Sequence, residues 1–153
     1  MSALPIVVLV DDDEMHLIVA RRAIAKLALR AEVIPVSNGT DALRVLGLEP
    51  AGGVAANRIA VVMLDIALPD LDGWHILERI RESPVLRSVP VVLVTSSDRP
   101  EDVSRAYELG ANSYLVKRHE PGLPGDYIAR AARYWVELNQ ASQPAAETLG
   151  PPT

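Results

Sequence analysis

Cysteine is absent from the 153 residues, so the chain can form no disulfide and offers no thiolate to a metal ion. That composition fits a reducing compartment. Basic charge is also scarce: 15 Lys and Arg stand against 20 Asp and Glu, a net charge of −5. A surface that neutralises duplex phosphates needs clustered Lys and Arg, so nucleic acid is excluded as the expected partner. Long hydrophobic runs are missing, and no segment approaches the length of a membrane span. The opening "MSALPIVVLV" has no charged stretch ahead of its apolar run, as a secretory signal would. The expectation is a cytoplasmic protein that meets neither nucleic acid nor a membrane.

What the chain does have is apolar material in short blocks. With 49% hydrophobic residues, a chain of this length builds one domain with a real core. Residues 1–140 read as that domain, and 141–153, rich in Pro, Ala and polar residues, as a flexible tail with no packing role. Strand-length runs rich in Val, Ile and Leu occur at 4–10, 30–36, 58–64, 89–95 and 112–117. Most show no polar alternation, the mark of strands covered on both faces. Helical stretches fall between them, near 14–28, 39–47, 72–82, 99–109 and 123–140. In the first, Leu17, Ile18, Ile24 and Leu27 recur at helical spacing and leave Arg21, Arg22 and Lys26 outside. Ser37-Asn38-Gly39 reads as a turn, Leu109-Gly110 as a helix stop, and 47–58 as a Gly/Ala-rich surface loop.

Five strand–helix repeats with right-handed crossovers give an α/β fold, a doubly wound (βα)5 parallel sheet. Chemistry in such sheets collects beyond the carboxyl ends of the strands. Asp11, Asp12 and Asp13 follow the first strand, Asp65 ends the third, Thr95 and Ser96 end the fourth, and Lys117 ends the fifth. With a strand order of 2-1-3-4-5 these four strands are neighbours and their terminal side chains converge. Crowded carboxylates repel one another unless a cation sits among them. A hard divalent ion with oxygen ligands, usually magnesium where phosphate is involved, relieves that repulsion and can hold a phosphoryl oxygen. Lys117 adds a second positive charge and Thr95 a hydroxyl donor. The set describes phosphoryl transfer.

On these residues the sequence resembles the receiver domain of two-component response regulators over about residues 4 to 138, within the flavodoxin-like folds. "VLVDDD" is similar to the family's acidic pair after strand one, and "VVMLDIALPDLDGW" (61–74) resembles its third strand, phosphoacceptor and following turn. "VVLVTSS" (91–97) and "GANSYLVK" (110–117) resemble its switch threonine, aromatic and lysine segments. The resemblance implies that Asp65 accepts the phosphoryl group, and that Asp11, Asp12, Asp65 and the backbone carbonyl of Ala67 hold magnesium. It further implies that Thr95 and Tyr114 are coupled switch residues and that Lys117 is the cation on the phosphoryl group. A sensor histidine kinase would be the donor. The long 47–58 loop, the run "GANSYLVK" and an aromatic last helix are similar to small regulators paired with phytochrome-type kinases, and with no output domain following, such a protein is expected to act by docking, by returning or relaying phosphate, or as a phosphate sink. The family usually follows its lysine with a cis proline. Here Arg118 follows Lys117, and a cis bond without proline costs about 2.5–4 kcal/mol, so the sequence leaves the bond open between cis and a trans form with a differently shaped loop.

Duller readings exist for each residue alone. Asp13 is better read as the cap of the first helix, Trp74 as packing, and His16, His75 and His119, which lack metal-ligand spacing, as non-functional. An alternative enzyme reading takes "DLDGW" as a haloacid-dehalogenase-like motif with Asp70 and Asp72 as its acids. A flavodoxin-like cofactor binder shares the layout, but three acids after the first strand would repel a flavin's phosphate. Finally, on a wheel at ~100° per residue, Ile128, Ala131, Ala132, Trp135 and Leu138 form one sheet-facing stripe. Tyr127, Tyr134 and Val136 widen the apolar arc to about 220°, more than a surface helix needs. A homodimer through Tyr127 and Tyr134, on the face of the fourth and fifth helices and fifth strand, is the expectation.

Overall fold

The computed structural model describes residues 3–50, 52–118 and 124–142. Strand β1 is Ile6–Val10, β2 Glu32–Val36, β3 Ile59–Leu64, β4 Val91–Thr95 and β5 Ser113–Val116. Helix α1 is Glu14–Lys26, α2 Gly39–Val45, α3 Gly73–Glu82, α4 Pro100–Glu108 and α5 Asp126–Arg133, and a π-helical turn, Tyr134–Leu138, continues α5. All strand pairings are parallel, in the order β2-β1-β3-β4-β5. This is the flavodoxin-like (βα)5 sheet that the sequence pattern predicts.

The apolar runs lack alternation because the three inner strands are covered on both sides. Val8, Val10, Val62, Leu64 and Leu93 point to one face, where Trp74, Ile76, Leu77 and Ile80 of α3 and Ala106 of α4 meet them. Val7, Leu9, Val61, Met63, Val92 and Val94 point to the other, against Leu17, Ala20 and Ile24 of α1 and Ile128, Ala129 and Ala132 of α5. Each Val, Leu, Ile or Met side chain that is fully buried stabilises the fold by about 1.5–3 kcal/mol. The edge strand β2 is only partly covered and carries Pro35, whose missing N–H a central strand would not tolerate.

Local chemistry sets the helix ends. Asp13 accepts hydrogen bonds from the backbone N–H groups of Met15 and His16 and caps α1, as its position predicts. Asn38 caps α2 and Asp72 caps α3. Gly110, at φ +99°, terminates α4 in a backbone region that favours glycine. The guanidinium of Arg81 fastens the end of α3 to the sheet, donating to the carbonyls of Gly110 and Val89 and to Oδ1 of Asn112.

Three expectations need correction. Ile18 is 39% exposed, and Ala20 takes its place in the inward stripe of α1, which runs Leu17, Ala20, Ile24 at spacings of three and four. The 47–58 loop is not wholly superficial: Leu48, Val54 and Ala56 pack on the core, and Arg79 holds the Leu48 carbonyl at 2.8 Å. Leu138, assigned to the sheet-facing stripe, is 74% exposed. The π turn shifts bonding to five residues back, so the phase of the wheel slips: Trp135 packs inward as expected, and Val136, expected on the outer arc, joins it. His119 and residues 143–153 of the expected tail lie outside the described residues. No helix among the described residues is long and apolar enough to cross a membrane.

Candidate functional site

The sheet ladders run one residue past the strands and fix the backbone of the site. Asp11 N–H donates to the carbonyl of Val36, Asp65 N–H to Val10 and Lys117 N–H to Thr95, all at 2.8–2.9 Å. Because β1, β3, β4 and β5 are parallel neighbours, Asp11, Asp65, Thr95 and Lys117 arrive at one end of the sheet. Asp11, Asp65 and Thr95 are buried, with at most 4% exposure, whereas Asp12 faces solvent.

Oxygens of Asp11, Asp12 and Asp65 all lie within 4.8 Å of one another. The Lys117 ammonium bridges the two buried acids, 2.7 Å from Asp65 Oδ2 and 2.9 Å from Asp11 Oδ2. The other oxygen of each is held by backbone: Asp13 N–H donates to Asp11 Oδ1 at 2.9 Å, and Ala67 N–H to Asp65 Oδ1 at 3.1 Å. Burial disfavours the charged form of Asp65 most strongly and raises its pKa, against the bond and charge of Lys117. Burial acts the same way on Asp11, but bonds from His16, Lys117 and the Asp13 N–H outweigh it and hold that carboxyl below its ordinary value. Burial lowers the Lys117 pKa, and the bonds to Asp65 and Asp11 reverse that to a net rise. Three carboxylates against one ammonium leave an excess of negative charge. An all-oxygen donor set with that excess and an open solvent side fits a hard divalent cation.

Around this pocket sit the remaining expected residues. Tyr114 is half-buried, its hydroxyl donating to the Ser97 carbonyl at 2.9 Å, so it pins the connection between β4 and α4. Ser97 in turn donates through Oγ to Asp102 of α4. The Lys117–Arg118 bond is trans, as no peptide bond among the described residues is cis. Trp74 is buried beside the site's connecting turn, with the Arg105 guanidinium over its ring at 4.6 Å. Asp70 and Asp72, the acids of the phosphatase alternative, stand apart from the pocket. Asp70 accepts from the backbone N–H and hydroxyl of Thr40 and the N–H of Gly39, and Asp72 from the N–H of Trp74. Both serve helix starts.

His16 is the residue that sequence reasoning passed over. Its Nδ1 lies 2.5 Å from Asp11 Oδ2, on the very oxygen that Lys117 touches. The available signal was its place in the first turn of α1 next to buried Leu17, the turn that starts directly after the acids. Tyr127, expected on an outward face, is half-buried instead: its hydroxyl meets His16 Nε2 at 3.4 Å and accepts from Arg118 N–H at 3.3 Å. Tyr134 is 47% exposed, as expected.

Comparison with known proteins agrees with this geometry. The chain is 34% identical over 140 residues to the probable methanogenesis regulatory protein FilR2 of Methanothrix harundinacea, covering 92% of this chain and 89% of that protein. It is 34% identical over 122 residues to the two-component response regulator ORR11 of Oryza sativa subsp. indica, covering 78% and 76%. Among solved structures, the phosphorylated cyanobacterial phytochrome response regulator RcpA superposes with a TM-score of 0.80 at 26% identity, over 92% of this chain and all of that one. The Mn(2+)-bound response regulator Rcp1 gives 0.77 at 26%, over 91% and 99%, and the bacteriophytochrome response regulator RtBRR 0.70 at 35%, over 93% and 84%. Residues 7–123 match the response regulator receiver domain, and with the acidic pocket at the strand ends this chain belongs to that family.

Proposed function

We propose that this receiver takes a phosphoryl group onto Asp65 from the phosphohistidine of a sensor histidine kinase, in a magnesium-dependent reaction. The observation that carries the reading is Lys117 bridging the buried Asp65 and Asp11 beside solvent-exposed Asp12. A carboxylate oxygen of Asp65 attacks phosphorus in line. The new P–O bond forms as the P–N bond to the kinase histidine breaks, and the imidazole leaves with its electron pair and takes a proton. Ala67 N–H holds the other Asp65 oxygen and fixes the direction of attack. Lys117 follows the charge from the Asp65 carboxylate onto the phosphoryl oxygens. Magnesium, held by Asp11, Asp12, Asp65 and the Ala67 carbonyl, would supply positive charge to those same oxygens. Thr95, buried at the end of β4, would donate its hydroxyl to the acyl phosphate, and Tyr114, released from Ser97, would follow it.

A phytochrome-type kinase is the partner class we favour, on the similarity to RcpA and RtBRR. Association into a homodimer is supported by the exposed Tyr134 and Leu138 at the end of α5. The functional reading is tested by labelling with radioactive acetyl phosphate or a phosphorylated histidine kinase. Asp65→Asn is expected to abolish the label, while Asp70→Asn and Asp72→Asn keep it. A labelled Asp65→Asn protein would overturn the assignment.

A further inference from the structure

The contacts of His16 form a continuous chain. A carboxylate oxygen can only accept, so the ring nitrogen beside Asp11, Nδ1, carries the proton. The other ring nitrogen, Nε2, meets the Tyr127 hydroxyl at 3.4 Å. The Tyr127 oxygen itself accepts from the Arg118 N–H. One line therefore runs from the backbone just after Lys117, through the first turn of α5, through α1, to Asp11. Asp11 Oδ2 has its two lone pairs occupied by Lys117 and His16. A cation or phosphoryl group that rearranges donors at this oxygen acts on the imidazole directly.

We propose that His16 is a positioning residue of the acidic site, holding the Asp11 carboxylate and passing that hold to Tyr127 and Arg118, so that loading a divalent cation and setting the first turn of α5 are coupled. This rests on the receiver reading and its cation site. The route is separate from the one through Thr95 and Tyr114, which ends on the connection between β4 and α4. Its consequence is reciprocal: whatever fixes α5, a docked partner included, changes cation affinity by the same factor. Partners in the shell around ligands commonly act this way, by orienting the ligand.

The test is a set of magnesium titrations, by calorimetry, on wild type, His16→Ala, His16→Asn, Tyr127→Phe and the His16→Ala/Tyr127→Phe double variant. His16→Ala is expected to weaken affinity by about tenfold. In His16→Asn the side-chain amide N–H replaces the Nδ1 donor but the link to Tyr127 is lost, so the affinity should match that of Tyr127→Phe and exceed that of His16→Ala. Tyr127→Phe should weaken binding by about fivefold. The double variant should be no weaker than His16→Ala alone, because the line is cut only once. Additive losses, or an asparagine no better than alanine, would overturn the proposal. A second readout is the Ile128 amide signal, whose N–H bonds to Gly125 at the start of α5. Magnesium should move it in wild type and not in Tyr127→Phe or His16→Asn, neither of which relies on His16→Ala folding. An unchanged response in Tyr127→Phe would defeat the coupling. A wild type that binds no magnesium defeats the cation site itself, whereas tight binding indifferent to all four variants defeats only the role of His16.

Discussion

Gly73 lies so close to Asp65 that a Cβ built on it would stand 2.5 Å from the Asp65 carbonyl oxygen and 2.6 Å from Cα of Ile66. Both obstacles are backbone, so neither can rotate away. The start of α3 is thereby pressed against the backbone of Asp65, the proposed phosphoacceptor, and the Gly73 N–H donates to the Ile66 carbonyl at 3.0 Å. Gly73→Ala is expected to lower stability by about 1–3 kcal/mol through overpacking. It should also slow acetyl-phosphate labelling of Asp65 by roughly tenfold or more, since a misplacement near 1 Å disrupts in-line geometry. Urea unfolding and a labelling time course measure the two effects, and wild-type labelling would show that the close approach does not position Asp65.

Crowding of Asp11, Asp12 and Asp65 leads to a prediction about metal. At a free magnesium concentration of 100 times its Kd, mass action stabilises the folded protein by about 2.7 kcal/mol. Thermal unfolding with and without magnesium should reveal that gain in wild type. Asp12 is exposed, so Asp12→Ala should fold normally and lose most of the gain. Equal gains in both proteins would count against Asp12 as a ligand.

The pH dependence of stability should carry the imprint of Asp70. The Thr40 hydroxyl, the Thr40 N–H and the Gly39 N–H hold its carboxyl well below the ordinary 3.8. A carboxyl with a lowered folded pKa contributes stability that is fully present above the unfolded value and is lost as pH falls through the folded one. Wild type should therefore exceed Asp70→Asn by a constant margin from neutral pH down to about pH 4, and the margin should shrink below that. Denaturant unfolding across the range reads it. A margin that persists at the lowest pH would mean that the charge of Asp70 is not what ties the turn after β3 to α2.

Association is expected to depend on the end of α5. Tyr134 and Leu138 are exposed, and Tyr134 stands edge-on to Trp135 with ring centroids 4.9 Å apart. Sedimentation of wild type at tens of micromolar, about the range of ordinary weak dimers, should detect a dimer that beryllofluoride modulates. Tyr134→Glu should sediment as a monomer. A wild type that is monomeric with and without beryllofluoride would remove the dimer from the account.

By itself the sequence determines the sheet and the acids. Unbroken runs such as Ile59–Leu64 can be satisfied only between two layers, and the abrupt polar ends at Asp11, Asp65, Thr95 and Lys117 fall where parallel strands must stop together. Those signals are local, because a strand's burial and its terminal residue are adjacent in the chain. Tertiary structure decides what depends on long separations or on helix phase. His16 and Tyr127 are 111 positions apart, and only the packing of α1 against α5 brings ring to hydroxyl. Asp70 reaches α2 across 30 positions to serve a helix start that already has its own cap in Asn38. The π turn moves Leu138 outward, and no periodicity at a fixed ~100° per residue registers such a slip, because the change lies in backbone bonding rather than in side-chain type.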